Sequence, residues 1–160
     1  LEWELPTGAI GQILVKGANV TNGYLRHPQN CEWFATGDLG YVDGDRYLYV
    51  VNRRDDLIIS GGENIYPSEV EAILCQHPAI AEVCVIGVED HEWGAIVAAA
   101  IVLNKLHDHQ LSLAAIRSFC EEKGLSRYKL PKSIYFVDNL PKSASGKVLL
   151  KALKQEIITK

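Results

Sequence analysis

Two apolar runs constrain the fold of this chain more than any other feature of its sequence. IAEVCVIGV at 80–88 and AIVAAAIVL at 95–103 are short, rich in β-branched residues and almost continuously apolar. Runs of this kind are typical of strands that are covered on at least one side. They predict a small sheet in the second part of the chain, with other elements packed over it.

Helical patterns surround these strands and predict an α+β fold, a small mixed sheet with packed helices. Pro67 and the Ser68–Glu71 capping-box spacing predict a helix that ends near His77. Capping chemistry also marks the next helix, which a serine starts and a glycine stops. The remaining predicted elements are a helix capped at Ser112 and running through Glu122, a strand at 133–137 and an amphipathic helix at 147–158.

The first part of the chain is predicted to be mostly β-structure. GQILVKG at 11–17 alternates apolar and polar residues as a half-buried strand does. Residues 39–51 predict a hairpin, because Asp43-Gly44-Asp45 supplies turn chemistry between two aromatic and β-branched runs. Charge then concentrates in NRRDD, which suits a linker. We therefore predict a β-segment at 1–52, a hinge at 53–56 and a second domain at 57–160.

Composition bounds the class of protein. With 48% hydrophobic and 22% charged residues, the chain is typical of an ordinary soluble globular protein. A net charge of -4 argues against nucleic acid or an anionic membrane as the main partner. No run approaches the roughly 18 apolar residues of a membrane-spanning helix. Four widely spaced cysteines without a CxxC pair predict buried, reduced thiols in a cytoplasmic protein.

Three motifs occur in a fixed order: TGD at 36–38, RRDDLIISGGENIYPSEVE at 53–71 and PKSASGK at 141–147. Together they resemble the C-terminal part of adenylate-forming enzymes, the acyl-CoA synthetase and luciferase superfamily. The resemblance implies that residues 1–52 end a large N-terminal AMP-binding domain and that 57–160 form a mobile C-terminal domain. The chain has no methionine and begins at Leu1 within a strand-forming region. We therefore expect it to be the downstream part of a longer polypeptide.

The resemblance implies a nucleotide site at Asp38 and Arg53. A carboxylate at position 38 could accept hydrogen bonds from both hydroxyls of a ribose, although an Asx-type turn would explain TGD on its own. The family uses the arginine as a further nucleotide contact, and a surface salt bridge of Arg53 to Asp55 or Asp56 is the alternative. Asp55 corresponds to the hinge residue about which the family's C-terminal domain turns.

The second motif carries paired glycines that let backbone approach a ligand closely. The resemblance implies that Ser60, Gly61 and Gly62 line the tunnel for the pantetheine arm of CoA. A tight hairpin turn without a ligand is the alternative interpretation.

Lys147 follows the small residues 143–146, so little side-chain bulk would obstruct its docking into another domain. The resemblance makes it the adenylation lysine, which bridges the substrate carboxylate and the α-phosphate. A P-loop is excluded, because Pro141 and Val148 stand where that motif needs glycine and serine or threonine. An exposed lysine at a helix start is the remaining alternative.

Metal binding is not predicted. His107 and His109 form an HxH pair, but no third ligand is apparent nearby in the sequence. The chain also departs from the family at two places: no Asp-Gly precedes Trp33, and Leu150 stands where an arginine often occurs. The second departure could alter how the last helix contacts the large domain.

The resemblance implies an ATP-dependent acid–CoA ligase, with Mg²⁺ held mainly outside this chain, and CoA as co-substrate. Its partners would be a small carboxylate, ATP, CoA and its own N-terminal domain. NRRDDLIISGGENIYP and DHEWG look most like o-succinylbenzoate–CoA ligases of menaquinone synthesis. A domain that loads a carrier protein and a non-catalytic nucleotide- or partner-binding module are the alternatives. We expect the isolated 160-residue chain to be inactive, because the phosphate loop and acyl pocket are absent from it.

Overall fold

The computed structural model describes residues 4–20, 23–24, 27–28, 33–104 and 111–158. The chain divides into two compact units, Leu1–Asp55 and Asp56–Lys160. The strands are β1 (Gly11–Val15), β2 (Gly23–Tyr24), β3 (His27–Pro28), β4 (Phe34–Val42), β5 (Leu48–Arg53), β6 (Ile58–Ser60), β7 (Glu63–Ile65), β8 (Ile80–Asp90), β9 (Gly94–Leu103) and β10 (Ser133–Phe136). The α-helices are α1 (Pro67–Leu74), α2 (Leu113–Glu122) and α3 (Leu150–Ile158).

The first unit is built on an antiparallel sheet with strand order β1-β4-β5. Its β4–β5 hairpin turns as the sequence predicts, because the Asp43 carboxylate accepts hydrogen bonds from the backbone N–H groups of Asp45 and Tyr47 at 3.0 and 2.9 Å. Tyr41 and Tyr49 lie opposite each other and stack with ring centroids 5.1 Å apart. The predicted strand at 11–17 is present and ends at Val15.

The second unit contains a mixed sheet, as predicted. Strands β8 and β9 pair antiparallel, and β10 joins β9 in parallel, giving the order β10-β9-β8. Helices α1 and α2 contribute Leu74 and Ile116 to the core on one face, and α3 contributes Leu153 to the core on the other. Both faces are therefore buried, which explains why the two apolar runs show little alternation.

Helix α1 starts at Pro67 as predicted, but its N-terminal cap and its C-terminal end differ from the prediction. Its N-cap is Tyr66 without a side-chain capping bond, so the predicted Ser68–Glu71 capping box is wrong. The Glu71 carboxylate instead accepts a hydrogen bond from the Val85 backbone N–H of β8 at 2.8 Å. The helix ends at Leu74, because Gln76 and His77 donate to carbonyls three residues back and tighten the chain into turns.

Helix α2 follows its prediction, and α3 does not. The Ser112 hydroxyl accepts the N–H of Ala115, and the helix ends at Glu122 two residues before Gly124. Helix α3 begins at Leu150 and not at Lys147, because Val148 forms a β-bridge with Lys142. The three residues before Leu150 thus lie outside the helix.

The cysteines of the described residues are free thiols, and two of them, Cys84 and Cys120, are buried as predicted. Cys75 is exposed, because it lies just past the end of α1. Cys31 lies outside the described residues. Among the helices that the structure describes, none is long and apolar enough to cross a membrane.

Glu71 should make the stability of the second unit depend on pH. Burial raises the pKa of its carboxyl group, although hydrogen bonds from the Val85 N–H and the Cys84 thiol oppose the shift. Because the folded-state pKa is higher than the unfolded one, this contribution is fully present below the unfolded pKa. It is lost as pH rises through the folded pKa. Glu71→Gln keeps an oxygen acceptor for Val85 and cannot ionise.

We therefore expect Glu71→Gln to gain stability relative to the unaltered protein as pH rises from about 4.5 towards neutrality. Urea denaturation across this range measures the difference in the free energy of unfolding. Glu122→Gln, at the exposed end of α2, controls for the loss of one negative charge. A difference between Glu71→Gln and the unaltered protein that does not change with pH would contradict the interpretation.

Candidate functional site

Asp38 and Arg53 face each other across the β4–β5 hairpin. They are direct partners in the strand register, and Arg53 Nε lies 3.4 Å from Asp38 Oδ1. Backbone geometry supports the pair, since the Thr36 hydroxyl accepts the Asp38 N–H at 3.0 Å and donates to the Ile13 carbonyl of β1 at 3.1 Å. The hydroxyl thus fixes Asp38 against the neighbouring strand.

The Asp38–Arg53 pair is open to solvent, with 63% of the arginine side chain and 36% of the aspartate side chain exposed. Exposed pairs of this kind contribute about 0.2–1 kcal/mol to stability. The partner of Arg53 is Asp38, so the alternative pairing with Asp55 or Asp56 is not the one that the structure has. A carboxylate and a guanidinium presented side by side can accept from hydroxyls and donate to anions at one place.

Asp55 lies in a 3₁₀ turn formed by Arg54–Asp56. The division between the two compact units falls directly after it. Arg54 Nη1 donates a hydrogen bond to Gln12 Oε1 at 3.3 Å, which ties the start of this turn to β1. A residue at such a position could absorb a change in backbone torsion, and the hinge role of Asp55 stays a prediction.

Gly61 and Gly62 form the two-residue turn between β6 and β7, which we call the glycine turn, and Ser60 is the last residue of β6. The φ angles of Gly61 and Gly62 are 58° and 86°, both in the left-handed region that favours glycine. Ser60 is 8% exposed and pairs with Glu63 across the turn. The segment is thus a tight hairpin turn, and CoA binding by it stays a prediction.

Trp93 packs directly on this glycine turn. The Gly61 N–H donates to the Trp93 carbonyl at 2.9 Å, and a Cβ on Gly61 would lie 2.8 Å from the indole ring. Lys132 Nζ lies 3.7 Å from the centroid of the Trp93 ring and makes a cation–π contact with it. DHEWG contains this tryptophan, but its packing on Gly61 could not be read from sequence spacing. Asp90 holds Trp93 in place by accepting its backbone N–H at 2.9 Å.

The segment that carries Lys132 is fixed by two long-range contacts. Lys129 Nζ donates to both carboxylate oxygens of Glu69 at 2.7 Å, and Arg117 Nη1 donates to the Pro131 carbonyl at 3.0 Å. Burial opposes the charge of Lys129, but the Glu69 carboxylate more than offsets this and raises the pKa of the lysine. The ammonium therefore stays charged and ties this segment to α1.

Lys147 lies in a compact turn that we call the lysine turn, residues 142–148. The Ser143 N–H donates to the Lys147 carbonyl at 2.8 Å, and the Ser143 hydroxyl accepts the Lys147 N–H at 3.2 Å. Gly146 has a φ of 80° and closes the turn. Lys147 is exposed, three residues ahead of α3. The alternative of a lysine at a helix start is therefore wrong.

The lysine turn is connected to the sheet by a charged contact. Lys142 Nζ lies 2.6 Å from Glu82 Oε2 of β8, and the backbone of Lys142 bridges Val148. The Leu149 N–H also donates to the Pro141 carbonyl at 2.8 Å. Contacts on both sides of Lys147 thus hold this segment on the face of the sheet that α3 covers.

The structure gives no basis for a metal site in its described residues. Among them, no group of three histidine, cysteine or acidic side chains is arranged to hold an ion. His107 and His109, the pair considered in the sequence, lie outside the described residues.

The chain matches a known family over the part that carries Trp93, Lys132 and Lys147. Residues 69–147 match the AMP-binding enzyme C-terminal domain, and the match ends at Lys147 itself. The 2-succinylbenzoate–CoA ligase of Geobacillus sp. (strain WCH70) is 47% identical over 153 residues, which cover 92% of this chain and 30% of that protein. The chain therefore spans about a third of the length of the curated relatives that it matches.

Solved structures agree with this assignment. The o-succinylbenzoate CoA synthetase MenE from Bacillus subtilis, in complex with the acyl-adenylate intermediate OSB-AMP, is 44% identical with a TM-score of 0.80, covering 94% of this chain and 31% of that one. The same enzyme is also known with ATP and a magnesium ion. ATP-bound MatB from Rhodopseudomonas palustris is 36% identical with a TM-score of 0.85, covering 95% and 31%. Residues 69–147 thus form the C-terminal domain of an AMP-binding enzyme, and the chain is similar to adenylate-forming ligases over most of its length.

Proposed function

We propose that this chain is the C-terminal part of an ATP-dependent acid–CoA ligase. The complete protein joins a carboxylate to AMP with loss of pyrophosphate, and then transfers the acyl group to the thiol of CoA. Since the chain spans about 30% of its curated relatives, most of the acyl and phosphate site belongs to the remainder of the protein. The described residues contribute one loop to each half-reaction, and the Asp38–Arg53 pair to the first.

The observation that carries this proposal is the placement of two loops at opposite ends of β8. The glycine turn is anchored on Trp93, just beyond Asp90 at the end of the strand, and the lysine turn is anchored on Glu82 near its start. Eight residues of extended strand separate these anchors by roughly 25 Å. We infer that one rigid domain presents the two loops to the active site in turn, so that the two half-reactions use two orientations.

Lys147 serves the first half-reaction. A carboxylate oxygen attacks the α-phosphorus, and the bond to the pyrophosphate oxygen breaks. Negative charge grows on the oxygens around the α-phosphorus, where the Lys147 ammonium stabilises it. Asp38 accepts hydrogen bonds from the ribose hydroxyls, and Arg53 adds donors beside it. Replacing the Asp38–Arg53 contact by nucleotide contacts costs little, because that ion pair is exposed.

ATP enters as its magnesium complex in this proposal. The B. subtilis relative is known with ATP and a magnesium ion. No trio of acidic, histidine or cysteine ligands exists within the described ranges, so the ion would be held by the phosphates and by the rest of the protein. No role for the residues of this chain is therefore assigned through the metal.

The glycine turn serves the second half-reaction. The CoA thiol, as thiolate, attacks the acyl carbon, and the bond to the AMP oxygen breaks. Gly61 and Gly62 present backbone without side chains, and Ser60 lies buried beside them, so a slender pantetheine chain can pass closely. Turning about Asp55 withdraws Lys147 and brings this turn to the adenylate.

We propose 2-succinylbenzoate as the carboxylate, in menaquinone synthesis. The supporting observation is that both the Geobacillus ligase and the B. subtilis synthetase, at 47% and 44% identity, act on that acid by name. The cytoplasm is the proposed location, because ATP and CoA are supplied there and the Cys84 and Cys120 thiols stay reduced.

ATP–pyrophosphate exchange by the full-length protein tests the first half-reaction. With 2-succinylbenzoate in a panel of carboxylates, we expect exchange to be fastest with that acid. Lys147→Ala should slow exchange by on the order of 100-fold or more, because one charge-stabilising donor is lost. Thioester formation from preformed acyl-adenylate should be nearly unchanged. Lys151→Ala, an exposed lysine of α3, is the matched control. Equal damage to both steps would contradict the assignment.

Gly61→Ala should impair the second half-reaction. The added methyl group would meet the Trp93 ring at 2.8 Å, and the φ of 58° disfavours any side chain. Strain of about 1–3 kcal/mol would shift the turn away from its native path. We expect slower thioester formation with pyrophosphate exchange retained. Gly44→Ala, with no atoms within 4 Å of its new methyl group, provides the control.

Asp55→Pro should separate the two steps through the hinge. Proline fixes φ near -65°, which is compatible with the 3₁₀ turn seen here. It would prevent the change in φ that a hinge needs in order to rotate. We expect pyrophosphate exchange to survive and thioester formation to fall by about tenfold or more. Single-turnover assays of each step measure the split. If thioester formation were unaffected, Asp55 would not be the hinge.

A further inference from the structure

We propose that Glu82 is a positioning residue for Lys147. Through its contact with Lys142, Glu82 fixes the lysine turn so that Lys147 is presented correctly for adenylation. This inference rests on the proposed function, because it concerns how Lys147 reaches the α-phosphate. Glu82 does not belong to the three motifs that indicate the family.

The side chain of Glu82 points to the face of the sheet on which the lysine turn lies. Residues of β8 alternate between faces, and Glu82 shares its face with Cys84 and Ile86. These two belong to the core cluster that Leu153 of α3 covers. The register partner of Glu82 on β9 is Val102, which packs against the same cluster. Glu82 therefore places a carboxylate on that face, close to the start of β8.

The contact joins this face to the lysine turn at its first residue. Lys142 Nζ lies 2.6 Å from Glu82 Oε2, the distance of a strong charge-assisted hydrogen bond. At the far end of the turn, Val148 bridges Lys142 and packs against the core. Between these two attachments, the turn is exposed from Ala144 to Lys147. Leu140, two residues before Lys142, also packs in this core, so the backbone of the turn stays attached when the Glu82 contact is removed. What is lost is the charged attachment of Lys142 to β8.

Stability does not account for this contact. Both side chains are more than two-fifths exposed, at 41% for Lys142 and 44% for Glu82. Such pairs add little to folding. A contact that adds little stability can still matter for catalysis, because the reaction rate is sensitive to small misplacements of a charged group. Lys142 is also the second ammonium of the turn, and pairing with Glu82 keeps it from competing with Lys147 for the phosphates.

The test uses the full-length protein with Glu82→Gln, Lys142→Gln and the double variant. We expect each single variant to slow pyrophosphate exchange about fivefold, as a lower kcat with unchanged KM for ATP. The double variant should be no slower than either single one, because both remove the same contact. The exchanged pair Glu82→Lys with Lys142→Glu should recover most of the rate. Thioester formation from preformed adenylate should be unchanged in all of them.

Glu121→Gln is the matched control, since Glu121 also lies in an exposed ion pair, 3.4 Å from Arg127 Nε. Its exchange rate should equal that of the unaltered protein. The proposal is overturned if Glu82→Gln leaves exchange unchanged, if it slows both half-reactions equally, or if the exchanged pair recovers nothing. Lys147→Ala in the same assay separates the two proposals. If it loses exchange while Glu82→Gln does not, only the role of Glu82 fails. If Lys147→Ala keeps exchange, the proposed function fails.

Discussion

The antiparallel pairing of β8 with β9 runs through the middle of the second unit and is buried on both faces. Ala98, Ala99 and Ala100 of β9 are fully buried between the core that α1 and α2 cover on one face and the core that α3 covers on the other. These alanine side chains are small on both faces of the sheet. The larger apolar side chains that fill the core beside them come in part from the covering helices. Because every helix of this unit rests on this pair, the two strands fix where the surrounding loops begin and end.

The edges and ends of this pair are where charged groups appear. Strand β8 forms the edge of the sheet. The Glu71 carboxylate accepts a hydrogen bond from the Val85 N–H, which would otherwise have no partner strand. Glu82 holds the lysine turn near one end of the strand, and Trp93 holds the glycine turn beyond the other. A long strand thus keeps the two loops apart, which is the separation that the proposed two-orientation mechanism needs.

Features determined by local interactions could be predicted from the sequence, and features determined by distant ones could not. The apolar runs and the Ser112 cap depend on residues within one element, and both are present as predicted. Glu71 has the spacing of a capping box, yet its carboxylate binds a strand that follows 14 residues later. Lys142 and Glu82 are 60 residues apart in the sequence, so no local sequence pattern predicts their contact. The start of α3 was predicted too early because the β-bridge between Lys142 and Val148 keeps residues 147–149 out of the helix.

The ion pairs at the candidate site are exposed and weak, whereas an ion pair elsewhere in the second unit is largely buried. The Asp38–Arg53 and Glu82–Lys142 pairs are exposed, so breaking either costs the fold little. By contrast, Lys129 is largely buried against Glu69 with two short contacts. In the proposed nucleotide site, a ligand would therefore displace Arg53 from Asp38 at little cost to the hairpin. The family resemblance located these residues, but only the structure separates the contacts that hold the fold from those that a ligand can exchange.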